Sequence, residues 1–338
     1  MSLKMCLPEI RLMDGGLGTL LTSSPHNITF DHSHPLWSSH LLTSEEGEKE
    51  LAKAQESFVK AGADILLSAT YQASFEGFAA TKLPDGKHGR GFGAEEAEKC
   101  MRRAVRIARE CLDQTADDGD HGSKRMVALG LGAYGATMVP GAEYSGLYDE
   151  AHKTIDQLRD WHLRRLEAFF PFPSKNNAAR DEKRVCWKDV NIVAFETLPV
   201  KNEIEAVRQV MGSLEKADTK PFWISCVFPG EKNVLPDGSS VKDVVEAMLG
   251  AREHTSQRPA IPYAIGLNCT KVGKVESLIL EFEAAVEQVL KSNLKSSLEL
   301  PALVLYPDGT MGEVYNTTTK EWEKKEDPTV GLVSYCYA

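Results

Sequence analysis

Short apolar runs alternate with amphipathic helical stretches along almost the whole chain, and that alternation leaves few folds open. Residues 10–13, 65–70, 126–132, 191–197, 222–228, 263–269, 301–306 and 330–335 each read as a short strand. Between them apolar residues recur at helical spacing, as in Leu51, Ala54, Phe58 and Ala61, or Ile204, Val207, Val210 and Leu214. The same pattern places helices over 94–111, around 147–168, near 241–252, after residue 269 (Leu278, Ile279, Phe282, Val286, Val289) and over 318–325. Thr43 and Glu46 are spaced as a capping box, and Gly62 suits the exit of the helix they begin. Continuous apolar strands separated by helices imply a parallel sheet covered by helices. Eight such units favour closure into an α/β (β/α)8 TIM barrel, which removes the exposed sheet edge.

A barrel of this kind accommodates all 338 residues as one domain. Two segments, 113–125 and 171–184, are polar or rich in turn formers and read as loop excursions. The formal charge of −10 with no basic block argues against a nucleic-acid partner. No apolar run reaches membrane-spanning length, and residues 1–9 lack the hydrophobic core of a secretion signal. Seven scattered cysteines without a CxxC fit reduced thiols, so a cytoplasmic protein is expected.

In a parallel barrel the C-terminal strand ends converge on one rim, where chemistry is placed. That rim would collect Asp14, Thr70, Tyr71, Glu196, Thr197, Cys226, Asn268 and Cys269. Carboxylates at Asp14 and Glu196 suit a substrate ammonium or a general base; the plainer readings are a turn brace for Asp14 and a helix cap for Glu196. Cys269 has three readings: a buried apolar residue, a nucleophile, or a zinc ligand. Gly130-Leu131-Gly132 matches neither a P-loop nor a dinucleotide fingerprint and reads as close backbone approach beside a ligand or simply a tight strand exit. Tyr134 and Tyr144 are placed to line a cleft, where aromatic faces would attract a sulfonium. No lysine ends an assigned strand, which disfavours Schiff-base chemistry.

Taken together, these motifs resemble the homocysteine S-methyltransferases, the family related to betaine–homocysteine methyltransferase. The resemblance runs through Asp14-Gly15-Gly16-Leu17-Gly18-Thr19, Ala69-Thr70-Tyr71-Gln72-Ala73, Gly141-Ala142-Glu143-Tyr144-Ser145-Gly146, Phe195-Glu196-Thr197-Leu198-Pro199, Gly266-Leu267-Asn268-Cys269 and Tyr306-Pro307. It implies a barrel in which Zn2+ holds the homocysteine sulfur as a thiolate. That thiolate takes a methyl group from S-methylmethionine or S-adenosylmethionine, giving methionine. Asp14, Thr70, Tyr71, Glu196 and Asn268 would bind substrate, and Cys269 and Cys336 would ligate metal. The family ends its last strand with Gly-Gly-Cys-Cys-Arg-Thr-x-Pro, whereas residues 331–338 here read Gly-Leu-Val-Ser-Tyr-Cys-Tyr-Ala. Without the cysteine pair, and with the final helix missing, the expectation is poor zinc binding and much reduced activity. A homo-oligomer would be one way to cover the surface left by that helix. The alternative is a weakly active or non-catalytic barrel that binds homocysteine or a protein partner.

Overall fold

In a computed structural model, the described residues are 10–31, 33–82, 91–114, 125–173, 176–214, 219–251, 259–292, 300–309, 313–316 and 321–324, with the backbone alone for the last two segments. The chain runs α1 (Leu17–Thr22), α2 (Glu45–Lys60), β1 (Ile65–Leu67), α3 (Phe75–Ala80), α4 (Ala94–Gln114), β2 (Met126–Gly132), α5 (Ile155–Leu166), α6 (Asn177–Asp189), β3 (Ile192–Leu198) and α7 (Lys201–Ser213). It continues with β4 (Phe222–Cys226), α8 (Val241–Leu249), β5 (Ala264–Lys271), α9 (Val275–Ser292), β6 (Ala302–Asp308), β7 (Glu313–Asn316) and β8 (Glu321–Lys324).

β1 to β6 form one parallel sheet in sequence order, and it curls into a half-barrel. Period-2 alternation divides its side chains between two layers. Inside lie Ile65, Ala128, Ile192, Ala194, Trp223, Ala264 and Val304, with Met13 and Tyr306 packed against them. Outside, Leu129, Leu131, Phe195, Ile224 and Leu267 join the larger core beneath the helices. Small residues on β2, β3 and β5 leave room for the indole of Trp223, which is 2% exposed. No described helix is long and apolar enough to cross a membrane.

Several expectations need correction. Among the described residues the sheet has six parallel strands rather than eight. The first expected strand shrinks to a single parallel bridge, Met13 to Ile65. Of the helix expected over 318–325, the described residues 321–324 instead form β8, which pairs antiparallel with β7, in keeping with the strand-favouring Val314, Tyr315 and Trp322. The expected eighth strand, Cys336 and the missing-helix reading all fall outside the described residues. The excursion expected at 171–184 is largely the helix α6, capped by Asn176 and burying Cys186 and Trp187 against the core. Most of the 113–125 excursion lies outside the described residues. α2 is capped by Ser44 rather than Thr43, with Ser44 accepting from the Gly47 amide. Gly62 does end that helix, at φ +101.

Candidate functional site

The Met13 bridge and the C-terminal ends of β1, β2, β3, β5 and β6 bring together the carboxyls of Asp14 and Glu196, the rings of Tyr71, Tyr144 and Tyr306, and the Cys269 thiol. Asp14 follows the Met13 bridge. Its Oδ2 accepts the Leu67 amide at 2.9 Å, so it braces β1 and not the Gly15-Gly16 turn. Its Oδ1 is buried and has no hydrogen-bond partner. Burial pushes the Asp14 carboxyl well above the usual range, the Leu67 amide opposes this, and the Glu196 charge adds to it.

Glu196 points inward from β3 and is 4% exposed. It caps no helix: the N-cap of α7 is Val200, which offers no side-chain cap. A Cβ on Gly130 would lie 3.0 Å from Glu196 Oε2, so the glycine makes space for this carboxyl. Burial raises Glu196 to about 7, against the opposing hydrogen bond from Tyr306 and the charge of Arg165. Tyr306 also bonds Ser225 Oγ and receives Trp223 Nε1 at 3.2 Å.

These shifts set a pH dependence. Glu196 keeps its proton to about pH 7 when folded, against an ordinary value of 4.5. Between those values the folded state binds more protons than the unfolded one, so stability falls as pH rises through the window and levels off above it. Glu196→Gln is therefore expected to stabilise the protein at pH 8, by at most about 3 kcal/mol, and to change little at pH 4. Urea unfolding at the two pH values checks this; equal midpoints for both proteins at pH 8 would contradict it.

The thiol end of the rim is built from strained backbone. Thr197 and Cys269 adopt φ values of 61 and 48, which few non-glycine residues do. Both lie where the ladder shifts register, between Phe195 and Leu198 and between Asn268 and Lys271. Such irregularities re-aim side chains at strand ends. Asn268 holds the two together: Oδ1 accepts the Thr197 amide at 2.9 Å, and Nδ2 donates to Thr197 Oγ1 at 2.6 Å and Cys269 Sγ at 3.2 Å. Burial pushes the Cys269 thiol up to about 11; hydrogen bonds from Tyr144, Asn268 and Thr197 oppose this, and the Glu196 charge adds to it. Tyr71 hydrogen-bonds Thr197 and lies within electrostatic reach of Glu143, Cys269 and Tyr144. Thr70 is fully buried and ties strand ends: its hydroxyl donates to Gly130 O at 2.7 Å and meets Ser68 Oγ at 2.6 Å.

The loop carrying Glu143 and Tyr144 is anchored from behind by Glu203, which spacing did not single out. Its buried carboxylate accepts from Tyr134 N at 2.6 Å, His162 Nε2 at 2.8 Å and Tyr148 Oη at 2.6 Å. Tyr134 is therefore a buried packing residue stacked on His152, whereas Tyr144 stands half exposed at the rim.

Metal donors do not assemble among the described residues. No group of three or more His, Cys, Asp or Glu is arranged to hold an ion. Cys226 ends β4 facing the helix layer and is fully buried there, and Cys336 lies outside the described residues. Cys269 is thus the one member of the expected zinc set among the described residues.

A family model described as homocysteine S-methyltransferase matches residues 11–334. Homocysteine S-methyltransferase 2 of Arabidopsis thaliana is 30% identical, over 92% of this chain and 79% of its own. Selenocysteine Se-methyltransferase of Brassica oleracea var. italica is 32% identical, over 92% and 75%. The metallated form of the Escherichia coli homocysteine methyltransferase MmuM superposes with a TM-score of 0.62 at 23% identity, covering 90% of this chain and 85% of that one, a likeness of fold.

Proposed function

This chain belongs to the homocysteine S-methyltransferase family, and on that premise we propose that it binds homocysteine through its buried carboxylate pair and transfers a methyl group to it slowly. The observation that carries this reading is the unpartnered, buried Oδ1 of Asp14 beside Glu196. Two adjacent buried carboxyls repel when ionised, and an ammonium placed between them relieves both the repulsion and the missing hydrogen bond. The Glu196 charge acts on both Asp14 and Cys269, which supports a head-group pocket adjoining the thiol end of the rim. Tyr71 and Tyr144 supply aromatic faces suited to a sulfonium donor such as S-methylmethionine or S-adenosylmethionine.

In the transfer, the acceptor thiol first gives its proton to solvent, and the thiolate sulfur then forms a bond to the donor methyl carbon as the donor's own sulfur–carbon bond breaks. The donor leaves neutral, so no leaving-group acid is required. The pocket's contribution is orientation. With the sulfur near the pKa of a free thiol, about 8.5, only a few per cent is thiolate at pH 7, which is why slow turnover is the reading the donor set supports. Closure of the half-barrel by the segments that follow β6 belongs to the same proposal. Zinc capture by Cys269 with Cys336 is the finer possibility that metal analysis decides.

The test is metal analysis of purified protein paired with methionine formation from each donor, using homocysteine and, separately, selenocysteine as acceptor. The expected result is less than stoichiometric zinc with slow transfer that added zinc does not accelerate. Stoichiometric zinc and a rate lost in Cys269→Ala would replace this reading with the zinc-activated one.

A further inference from the structure

Arg165 reaches from α5 under the rim. Nη1 donates to Gly132 O at 2.8 Å, and Nη2 donates to Thr70 O and Tyr71 O at 2.7 Å each. Tyr71 O also accepts the Gly132 amide at 3.1 Å. The side chain is 2% exposed, its guanidinium lies 5.3 Å from the Trp161 ring centroid, and its Nε has no hydrogen-bond partner. Among the described residues no carboxylate forms a salt bridge with it.

Packing alone gives no reason for a cation here. A buried charge with no carboxylate in contact is costly, the charges of Glu203 and Glu196 offset that cost only in part, and an apolar side chain of similar size fills the space without it. A guanidinium holds several carbonyls at fixed angles from one planar fork; an apolar group holds none, and an ammonium, as Lys274 does with three carbonyls, holds them without that fixed geometry. The three carbonyls come from two segments: the one following β1 and the end of β2. The same segments carry Tyr71 and the two glycines that make room for Glu196 and for Tyr71. A Cβ on Gly132 would fall 2.6 Å from Tyr71 O.

We infer that Arg165 is a positioning residue of the amino-acid pocket, fixing the backbone walls that hold Glu196 and Tyr71 without itself touching substrate. The inference rests on the proposed homocysteine pocket. Its test compares Arg165→Lys and Arg165→Gln with the parent protein by backbone hydrogen exchange, thermal unfolding and calorimetric titration with homocysteine. In both variants, exchange of the Ala73 and Gly132 amides is expected to quicken about tenfold while β5 amides stay unchanged, and homocysteine is expected to bind about tenfold more weakly, with Lys giving no rescue. Unchanged exchange in those segments, or recovery by Lys of both exchange and affinity, would overturn the inference. Failure of both variants to fold would make Arg165 a core residue and overturn it equally. If the parent protein does not bind homocysteine, the pocket reading fails, while hydrogen exchange still decides whether Arg165 fixes these walls.

Discussion

Glu196→Gln is expected to weaken homocysteine binding about a hundredfold at pH 8 without unfolding the protein. Truncating one partner of a buried, hydrogen-bonded charge pair costs roughly 2–5 kcal/mol, and about 2.7 kcal/mol is a hundredfold in Kd. Gln keeps a carbonyl oxygen for the Tyr306 hydrogen bond, so the loss isolates the charge. Asp14→Asn is expected to act in the same direction, because its retained carbonyl oxygen can still accept from the Leu67 amide. Calorimetric titration of the three proteins reads both effects. In the parent, affinity should also climb as pH rises through about 7, where Glu196 gives up its proton, and then level off. Variants that bind as tightly as the parent would show that the ammonium lies elsewhere.

Gly266→Ala is expected to abolish folding or to remove more than about 4 kcal/mol of stability. A Cβ there would sit 1.8 Å from Val304 O, a backbone atom of β6 held by the sheet ladder, so no side-chain rotation relieves the clash. The close approach sets the register that carries Asn268 and Cys269 to the rim. Gly273→Ala is the control: a Cβ there meets nothing within 4 Å, and its effect should stay within about 0.5 kcal/mol. Urea unfolding of both variants checks the contrast. Similar midpoints would mean that β5 and β6 are not packed as described.

The sheet was legible because burial on both faces writes each strand as an unbroken apolar run. β2 matches its expected bounds, and β3 differs by one residue at each end. Where burial is thinner, pattern reading failed. α6 is polar over most of its length and packs through few residues, and α3 is a six-residue helix held by its Ser74 cap. Residues 10–13 read as a strand, yet they contribute a single bridge, because a tetrapeptide's pattern is too short to tell the two apart.

The site divides along a similar line. Asp14, Tyr71, Glu196, Asn268 and Cys269 stood out because polar residues at the ends of apolar strands are conspicuous, and the structure gathers them at one rim. The groups that support them did not stand out. Arg165 meets Thr70 across 95 positions and Glu203 meets Tyr134 across 69. In sequence each is an ordinary charged residue on an amphipathic helix. A buried polar group declares its role through a partner, and only the folded chain shows the partner. For Gly130 and Gly132 the sequence leaves close backbone approach and a tight strand exit both open, and only the fold shows that a carboxylate and a tyrosine fill the space.

The claim beneath all of this is that a buried carboxylate pair selects an amino-acid ammonium. Calorimetric titration of the unmodified protein at pH 8 with homocysteine and with its des-amino analogue, 4-mercaptobutanoate, addresses it most directly. Homocysteine should bind at least about a hundredfold more tightly than the analogue, which has the same thiol and carboxylate and no ammonium. Equal affinities would contradict the claim.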